Sequence, residues 1–454
     1  MQKFTVTSLG CKVNQYESRQ IAQFLSDHGL FEVGLSDRPD LTVVHTCCVT
    51  HIASGKSRQL LRKALRSNPD CVVVASGCLA TLDNDEIADL KERIHIISNK
   101  DEIASHLADI IKESSTKPSN TTPIISKSFI SKTSIADKIK DKKGCVADCG
   151  LSNLRDYPGH SRAFLKIQDG CDGFCSYCII PRTRSRVYSK DISSVVKEAS
   201  DLVMSGFKEI VLTGIFLGAY GHETVRRKRW GAGSVDNLSM VLKELVKIEG
   251  LERIRLSSLE PGDVTDELLE VIAGEDKIVN HLHLPLQSGS PSILRKMCRQ
   301  YGLVGFMEMV ERVKSALDRP AITTDVIVGF PGESEEDFGA SCRISREVGF
   351  SKIHVFSFSE REGTAASRME PKVGAGEIHR RGQILQEISD EMGIEFARSF
   401  AGEKVGIIVE NKKPVIGRCE RYFEVELAGC GTVEKGELVY GVLRDDGRIA
   451  DVVF

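Results

Sequence analysis

Two separate sets of three cysteines are the residues whose types and spacing point to chemistry in this sequence. Cys171, Cys175 and Cys178 lie within eight residues, in GCDGFCSYC, whereas Cys11, Cys47 and Cys78 are spread through the first eighty residues. A cubane [4Fe–4S] cluster needs four ligands, so a set of three thiolates leaves one iron open to another ligand. The two sets therefore predict two open clusters and chemistry that uses two centres.

The CxxxCxxC loop is the more specific of the two signals. Zinc is the main alternative, but a structural zinc site takes four protein ligands, and no fourth Cys or His lies close by in the sequence. An open iron can chelate the amino and carboxylate groups of S-adenosylmethionine (SAM), and an electron from the cluster can then break the weakened S–C bond. This chemistry yields a 5′-deoxyadenosyl radical that removes hydrogen from an unactivated C–H bond.

Alternating strands and helices should position the N-terminal set. This βαβ pattern predicts a parallel sheet, in which ligands bind at the carboxyl ends of the strands. Cys11, Cys47 and Cys78 each follow a predicted strand closely, so one sheet edge can bring them together; the alternative is three unrelated buried thiols. The predicted elements are strands at 4–9, 41–46 and 72–76 and helices at 17–28 and 53–66.

A second α/β block begins near Arg162 and carries the CxxxCxxC loop directly after its first strand. Six β–α units of this kind predict a partial barrel with its active site at the carboxyl ends of the strands. The predicted strands are 163–167, 209–212, 253–256, 281–284, 323–328 and 352–356, and the helices between and after them include 192–205, 237–248, 265–273, 303–317, 335–348 and 378–400.

The remaining segments complete an α/β chain of three domains. Short strands with Gly-rich turns at 405–410, 421–427, 437–443 and 449–454 predict a small all-β barrel. The Ser-, Thr-, Lys- and Pro-rich stretch around KESSTKPSNTTPIISK predicts a linker, whose Cys145 and Cys149 are either a further metal site or spare thiols. The predicted boundaries are 1–111 for the N-terminal domain, 112–156 for the linker, 157–398 for the partial barrel and 399–454 for the β-barrel.

Composition narrows the class of protein. With 41% hydrophobic and 28% charged residues the chain has globular values, and fourteen cysteines in a chain of 454 residues favour metal ligation over disulfides in a reducing compartment. The opening MQKFTVTSLGC lacks a signal-peptide pattern, so we expect a cytoplasmic protein with no membrane segment. A net charge of −3 means that nucleic acid would have to bind local basic patches. Such patches are Lys56–Arg66, Arg226–Arg229, Arg380–Arg381 and Lys412–Arg421.

Polar residues at the ends of the predicted barrel strands are candidates for binding the ribose and methionine of SAM. Helix capping and turn formation explain the same residues equally well. His281 and His283 share one strand face, which favours a hydrogen-bonded interior over a metal site. The candidate SAM contacts are Ser257, Ser258, Glu260, Gln287, Ser288 and Asp325.

These motifs resemble one known family over nearly the whole chain except the linker. QDGCDGFCSYCIIPRTRSR is similar to the cluster loop of radical SAM methylthiotransferases, and LGCKVNQYES, HTCCVT and SGCLAT resemble the three cysteine motifs of that family's N-terminal domain. RIRLSSLEP, HLHLPLQSGS and TTDVIVGFPGE also match, and the last fifty-five residues resemble a TRAM domain, a small RNA-binding β-barrel. Within the family, CKVNQYES is most similar to the branch that acts on N6-threonylcarbamoyladenosine in tRNA.

The resemblance implies a function, cofactors and partners. It implies that Cys171, Cys175 and Cys178 hold the cluster that cleaves SAM, and that Cys11, Cys47 and Cys78 hold a second cluster that delivers a methylthio group to C2 of the adenosine next to the anticodon. The implied partners are the tRNA anticodon loop, an electron donor such as flavodoxin or ferredoxin, and a sulfur donor. In the C-terminal module, charged and aromatic side chains should face single-stranded RNA, unless the aromatics form the barrel core: Lys412, Lys413, Arg418, Arg421, Tyr422 and Phe423.

Departures from the family pattern leave the six predicted ligands intact. His45 replaces a usual Asn, Phe216 replaces a His common in this branch, and Cys48 stands beside Cys47. On extended backbone, neighbouring side chains point to opposite faces, which favours Cys47 as the ligand. Alternative functions are methylthiolation of isopentenyladenosine or of a ribosomal-protein aspartate, radical methylation without sulfur insertion, and RNA binding by a non-catalytic iron–sulfur protein.

Overall fold

The computed structural model describes residues 1–82, 85–116, 150–230, 236–429 and 431–453. The chain divides into two compact units. The first comprises Met1–Leu154 together with Arg182–Arg184, and the second comprises Arg155–Pro181 and Ser185–Phe454. Cys145 and Cys149, and with them most of the predicted linker, lie outside the described residues.

A five-stranded parallel sheet forms the centre of the first unit. Its strand order is β2-β1-β3-β4-β5, and β3 is buried along its whole length, as expected for a parallel strand covered on both faces. The carboxyl ends of the adjacent strands β1, β3 and β4 therefore meet at one edge. The strands are β1 (Lys3–Ser8), β2 (Phe31–Glu32), β3 (Leu41–Thr46), β4 (Val72–Gly77) and β5 (His95–Ile96).

In the described part of the first unit, four α-helices accompany the sheet. The core beneath them contains Phe4, Ile21, Leu25, Val43 and Leu107, all almost completely buried. The last helix runs to Thr116, so the first residues of the predicted linker are helical. The helices are α1 (Lys12–Asp27), α2 (His51–Ser67), α3 (Cys78–Thr81) and α4 (Ile103–Thr116).

Two three-stranded parallel sheets in the second unit form a partial barrel. Their orders are β10-β9-β6 and β11-β12-β13, and isolated parallel bridges between Ile254 and Ile278 and between Ser258 and His283 connect β10 to the β11 side. A short antiparallel pair, β7 with β8, flanks the cysteine loop. The strands are β6 (Ala163–Lys166), β7 (Gln168–Asp169), β8 (Tyr188–Ser189), β9 (Glu209–Thr213), β10 (Arg253–Leu256), β11 (His281–His283), β12 (Ala321–Val328) and β13 (Lys352–Ser357).

Capped helices connect these strands. Asp191 caps the N-terminus of α6 by accepting from the Ser194 N–H, and Ser334 and Asp337 form a capping box at the start of α11. The helices are α5 (Ile180–Thr183), α6 (Ile192–Met204), α7 (Asn237–Leu245), α8 (Asp266–Gly274), α9 (Pro291–Lys296), α10 (Leu303–Ala316), α11 (Glu335–Val348) and α12 (Ala375–Arg398).

The chain ends in a closed five-stranded barrel with the order β14-β15-β16-β18-β17. Its core includes Val405, Ile407, Val425 and Leu443. The predicted fold class is thus confirmed: a parallel-sheet domain, a partial barrel of six parallel strands and a small closed β-barrel. The strands of the β-barrel are β14 (Lys404–Lys412), β15 (Val415–Cys419), β16 (Glu424–Ala428), β17 (Leu438–Leu443) and β18 (Ile449–Val452).

Candidate active site

The CxxxCxxC loop lines a pocket in the second unit. Cys171, Cys175 and Cys178 border a cavity that encloses about 850 Å³, part of it open to solvent. Gly170 allows the chain to enter the loop, because it has a φ of +82° and a Cβ there would lie 1.7 Å from the Arg186 carbonyl oxygen. Only glycine fits this backbone conformation and this close approach.

Hydrogen bonds from within the second unit hold the cysteine loop in place. Gln168 donates to the carbonyl oxygens of Asp169 and Gly170 and accepts from the Phe216 N–H. The Ser176 hydroxyl donates to the Lys296 carbonyl oxygen at 2.7 Å. These contacts fix the loop backbone on both sides of Cys175.

Two thiols of this loop, those of Cys171 and Cys178, resist ionisation. Desolvation raises the pKa of Cys171 and of Cys178 to about 12. A [4Fe–4S] cluster would bind these two sulfurs as thiolates, so its assembly would displace both protons. Three thiols around one pocket, with polar side chains opposite them, are a donor set that fits a [4Fe–4S] cluster with an open iron.

Arg299 is a residue of this pocket that the sequence did not single out. Its guanidinium donates to Cys175 Sγ at 3.0 Å, to the Tyr177 hydroxyl at 3.3 Å and to the Glu260 carboxylate. Glu260 also accepts from Arg227 at 2.7 Å. A positive group therefore lies directly against one cluster thiol, and it is oriented by a carboxylate shared with a second arginine.

Four of the predicted SAM contacts line the pocket: Ser258, Glu260, Gln287 and Asp325. Ser257 is buried and does not line it, although its hydroxyl has no hydrogen-bond partner. Ser288 is also buried away from the pocket, and its hydroxyl lies 3.4 Å from that of Ser341. The pocket thus brings together four of the six candidates and not Ser257 or Ser288, and the assignment of SAM contacts stays a prediction.

The two histidines of β11 form a hydrogen-bonded interior, as expected. His281 Nε2 and His283 Nδ1 lie 3.1 and 2.9 Å from the same Thr323 hydroxyl. His283 Nε2 is 3.3 Å from Asp325, and His281 stacks on Tyr422 at 4.3 Å. Among the described residues, no three Cys, His, Asp or Glu side chains are arranged as ligands of a single metal ion.

In the first unit, the other three cysteines follow the carboxyl ends of β1, β3 and β4. A Cβ on Gly10 would lie 2.8 Å from Cys47 Sγ, which shows how closely the loop before Cys11 approaches the loop after β3. Gly77, before Cys78, also has a positive φ, and a Cβ there would lie 2.6 Å from the Thr46 carbonyl oxygen. Burial raises the pKa of Cys47 to about 11.

Arg184 is the main electrostatic partner of this second thiol set. Its Nε donates to Cys78 Sγ at 3.4 Å, and its other nitrogens donate to both oxygens of Glu17 at 2.8 and 2.6 Å and to Asn14 Oδ1 at 2.8 Å. The Arg184 side chain is 1% exposed. His45 and Lys100 bond the same Glu17 carboxylate, so the unusual His45 belongs to this buried network.

Cys48 lies closer to the thiol set than expected. Its thiol forms a hydrogen bond with Cys78, so both Cys47 and Cys48 lie near the other thiols and the choice of Cys47 as the ligand stays a prediction. Cys47 and Cys48 follow the last residue of β3, where strand alternation no longer applies. The bond from Cys48, with the charges of Arg184 and Lys100, outweighs burial and holds the pKa of Cys78 well below its ordinary value.

Tyr422 and Phe423 of the C-terminal barrel contact other side chains of the second unit. Tyr422 lies between Arg255, Arg418 and the stacked His281, and Phe423 packs against Phe396 and Phe400. Arg418 and Arg421 are paired with acidic groups, Arg418 with Glu410 and Arg421 with Asp318. Of the two alternatives for Tyr422 and Phe423, these contacts favour packing over an aromatic face for RNA.

The family comparisons agree with this architecture. Residues 165–343 match the radical SAM superfamily, and residues 3–98 match the family described as uncharacterized protein family UPF0004. A solved radical SAM methyltransferase, TsrM from Kitasatospora setae with cobalamin and a [4Fe–4S] cluster bound, has a TM-score of 0.51 at 16% identity, over 88% of this chain and 79% of that one. The partial barrel and its cysteine pocket thus define a radical SAM enzyme.

Curated relatives identify the family. The threonylcarbamoyladenosine tRNA methylthiotransferase MtaB of Bacillus subtilis is 37% identical over 93% of this chain and 89% of its own length, and that of Chlamydia pneumoniae is 33% identical over 99% and 98%. The tRNA-2-methylthio-N(6)-dimethylallyladenosine synthase of Clostridium novyi is 31% identical over 94% and 91%. The chain belongs to the MtaB-type family of radical SAM tRNA methylthiotransferases.

This membership establishes the cofactors as two [4Fe–4S] clusters and SAM. Among the described helices, none combines the length and the apolar character that crossing a membrane would require.

Proposed function

We propose that this enzyme transfers a methylthio group to C2 of N6-threonylcarbamoyladenosine next to the anticodon in tRNA. The observation that carries the proposal is that each unit gathers three cysteine thiols of its own and provides each set with an arginine: Arg299 at Cys175 and Arg184 at Cys78. The names of the relatives from Bacillus subtilis and Chlamydia pneumoniae support the choice of substrate.

The two thiol sets would have different roles. Cys171, Cys175 and Cys178 would hold the cluster that binds SAM, and Cys11, Cys47 and Cys78 would hold the cluster that supplies sulfur. When bound there, SAM and a reduced cluster would supply an adenosyl radical able to take a hydrogen from an aromatic C–H bond. Such a bond offers no acidic proton to a general base, so positioning of the reactants must provide much of the rate.

The side chains of the pocket would bind and orient the cofactor. Ser258, Gln287 and Asp325 line the same pocket as the cysteine loop and would offer hydrogen bonds to the ribose and amino groups of SAM. Arg299 would hold the Cys175 sulfur by a charge-assisted hydrogen bond, and Glu260 would keep the guanidinium in that orientation. The target adenosine comes from a loop whose unstacked bases can be turned outward at a cost of a few kcal/mol.

Nucleoside mass spectrometry of tRNA from a deletion strain tests the proposal. We expect the 2-methylthio form of threonylcarbamoyladenosine to disappear while the unthiolated parent remains, and the wild-type gene to restore it. Cys47→Ser and Cys171→Ser should fail to restore it. The control variants Cys71→Ala and Cys342→Ala each remove a buried thiol outside the two sets and should restore it.

Other results would identify the alternatives. Loss of 2-methylthio-isopentenyladenosine instead would assign the chain to the branch of the Clostridium novyi relative. An unchanged nucleoside profile with a missing modification of a ribosomal protein would transfer the activity to that substrate. A reduced protein that forms no 5′-deoxyadenosine from SAM would refute catalysis altogether.

Iron analysis tests the assignment of the ligands. Anaerobic reconstitution should give about eight irons per chain, and about half of them should be lost when Cys171, Cys175 and Cys178 are replaced by alanine. Cys48→Ser should keep its iron if Cys47 is the ligand after β3.

A further inference from the structure

A basic run borders the cluster pocket in the second unit. Arg226–Trp230, here called the basic rim, follows Thr224 and Val225, whose hydroxyl and N–H donate to the Asp172 carboxylate at 2.8 and 2.9 Å. Asp172 stands between Cys171 and Cys175 in the loop. Gln300, which lines the pocket, donates to the Val225 carbonyl oxygen at 3.0 Å and accepts from the Arg227 N–H at 3.2 Å. The rim is therefore attached to the cysteine loop on one side and to the pocket wall on the other.

Aromatic side chains lie within this rim and beside it. Phe174 lines the pocket and is 58% exposed, and the Arg226 guanidinium lies 3.9 Å from the centre of its ring. Trp230 stacks on His222 with the ring centres 3.8 Å apart and the planes 6° from parallel. Exposed aromatic and guanidinium planes are the surfaces on which unpaired nucleic-acid bases stack.

The charges of the rim divide into two groups. Arg226 pairs with Asp172, and Arg227 pairs with Glu260 and Asp263, so these two guanidinium groups hold the structure together. Lys228 and Arg229 are exposed and form no side-chain hydrogen bond or ion pair with any residue in the described part of the chain. The rim thus leaves two cations uncompensated beside the pocket of a protein whose net charge is −3.

We propose that the basic rim binds the single-stranded RNA that flanks the target adenosine. Lys228 and Arg229 contact backbone phosphates, and Phe174 stacks on a base next to the adenosine. This inference rests on the proposed function in taking RNA as the substrate, and it adds an RNA-binding surface on the radical SAM domain itself. An acidic protein such as an electron donor would use the two cations, but it would have no use for the exposed ring of Phe174.

Fluorescence anisotropy with the reconstituted full-length enzyme and a labelled anticodon stem-loop RNA tests the rim. Each phosphate contact to a single strand contributes about 0.7 to the slope of log Kd against log salt, so Lys228→Gln/Arg229→Gln should lower this slope by about 1.4. Phe174→Ala should weaken binding by about 5- to 150-fold, and Phe174→Tyr, which keeps the stacking surface, should restore it.

A matched control removes two positive charges elsewhere in the same unit. Lys243→Gln/Lys247→Gln replaces two surface lysines that do not line the pocket and should leave the salt slope unchanged. Iron content and circular dichroism of every variant verify that the protein is folded and loaded.

Three results would overturn the proposal. One is wild-type affinity and a wild-type salt slope in both Lys228→Gln/Arg229→Gln and Phe174→Ala. Another is an equal loss of affinity in the control variant. The third is unaltered RNA binding with slower reduction by flavodoxin, which would assign the rim to an acidic protein. RNA binding is measured without turnover, so it decides the role of the rim even if the nucleoside profile refutes the proposed modification.

Discussion

Removing the positive charge of Arg184 should lower the stability of the first unit more than removing most other charges in that unit. Arg184→Met leaves the Glu17 carboxylate, itself 5% exposed, without two hydrogen bonds of 2.8 and 2.6 Å. Breaking one side of a buried ion pair costs about 3–5 kcal/mol. Because Lys100 and His45 still contact Glu17, we expect the lower end, about 3 kcal/mol.

Native-state hydrogen exchange on metal-free, reduced, full-length protein measures this loss where it occurs. Amides of β1 and α1 should exchange with a free energy of opening lowered by about 3 kcal/mol. Arg19→Gln is the control, since Arg19 and Glu32 form a partly exposed pair with 18% and 35% of their side chains accessible, and it should cost at most about 1 kcal/mol. Glu17→Gln/Arg184→Met should cost less than the sum of the single changes. A loss for Arg184→Met no larger than that for Arg19→Gln would refute the assignment of Arg184 as the compensating charge.

Three further expectations concern the second unit. Gly170→Ala should lose about half of the reconstituted iron, because its Cβ would meet the Arg186 carbonyl oxygen, whereas Gly274→Ala, with nothing within 4 Å, should keep all of it. Arg299→Met removes a donor to Cys175 Sγ and should make the midpoint potential of the cluster there more negative in a titration followed by electron paramagnetic resonance; Arg295→Met, at an exposed site, should not. Despite partial burial, hydrogen bonds from Ser290, Ser334 and Ser292 lower the pKa of Asp337 to about 2 from 3.8. Asp337 therefore stabilises the fold above about pH 4 and loses this effect as the pH falls toward 2, so the difference in urea midpoint between wild type and Asp337→Asn should shrink between pH 7 and pH 3; a constant difference would contradict this.

Hydrophobic periodicity predicted the long elements of the fold well. The strand at 41–46 and the helix at 335–348 have the predicted bounds, and the six parallel strands of the partial barrel all occur. The strands β2 and β5 have two residues each, which is too short to show an alternation of apolar and polar residues in the sequence. Strand β15, which was not predicted, carries Gly417 at its centre, a residue with weak strand preference that the closed barrel accommodates.

The candidate site could be predicted only where its residues are close in sequence or follow successive strands. Arg299 and Cys175 are 124 residues apart in the sequence, and Arg184 and Cys78 are 106 residues apart. No sequence pattern links residues so far apart, so neither hydrogen bond could be predicted. The role of Tyr422 was left open for a related reason. An aromatic residue beside two arginines looks the same in a sequence whether it faces solvent or stacks on His281.

The assignment of Arg182–Arg184 to the first unit has a consequence for dividing the protein into parts. A fragment that stops at Leu154 would contain all three N-terminal thiols and the whole five-stranded sheet, yet it would lack the guanidinium that neutralises Glu17. Truncation at the apparent boundary would leave Lys100 and His45 as the remaining partners of the buried Glu17 carboxylate, so the first unit depends on a segment of chain beyond Leu154. A truncation or domain exchange that uses the first unit would therefore have to include the segment Arg182–Arg184, which follows Cys178.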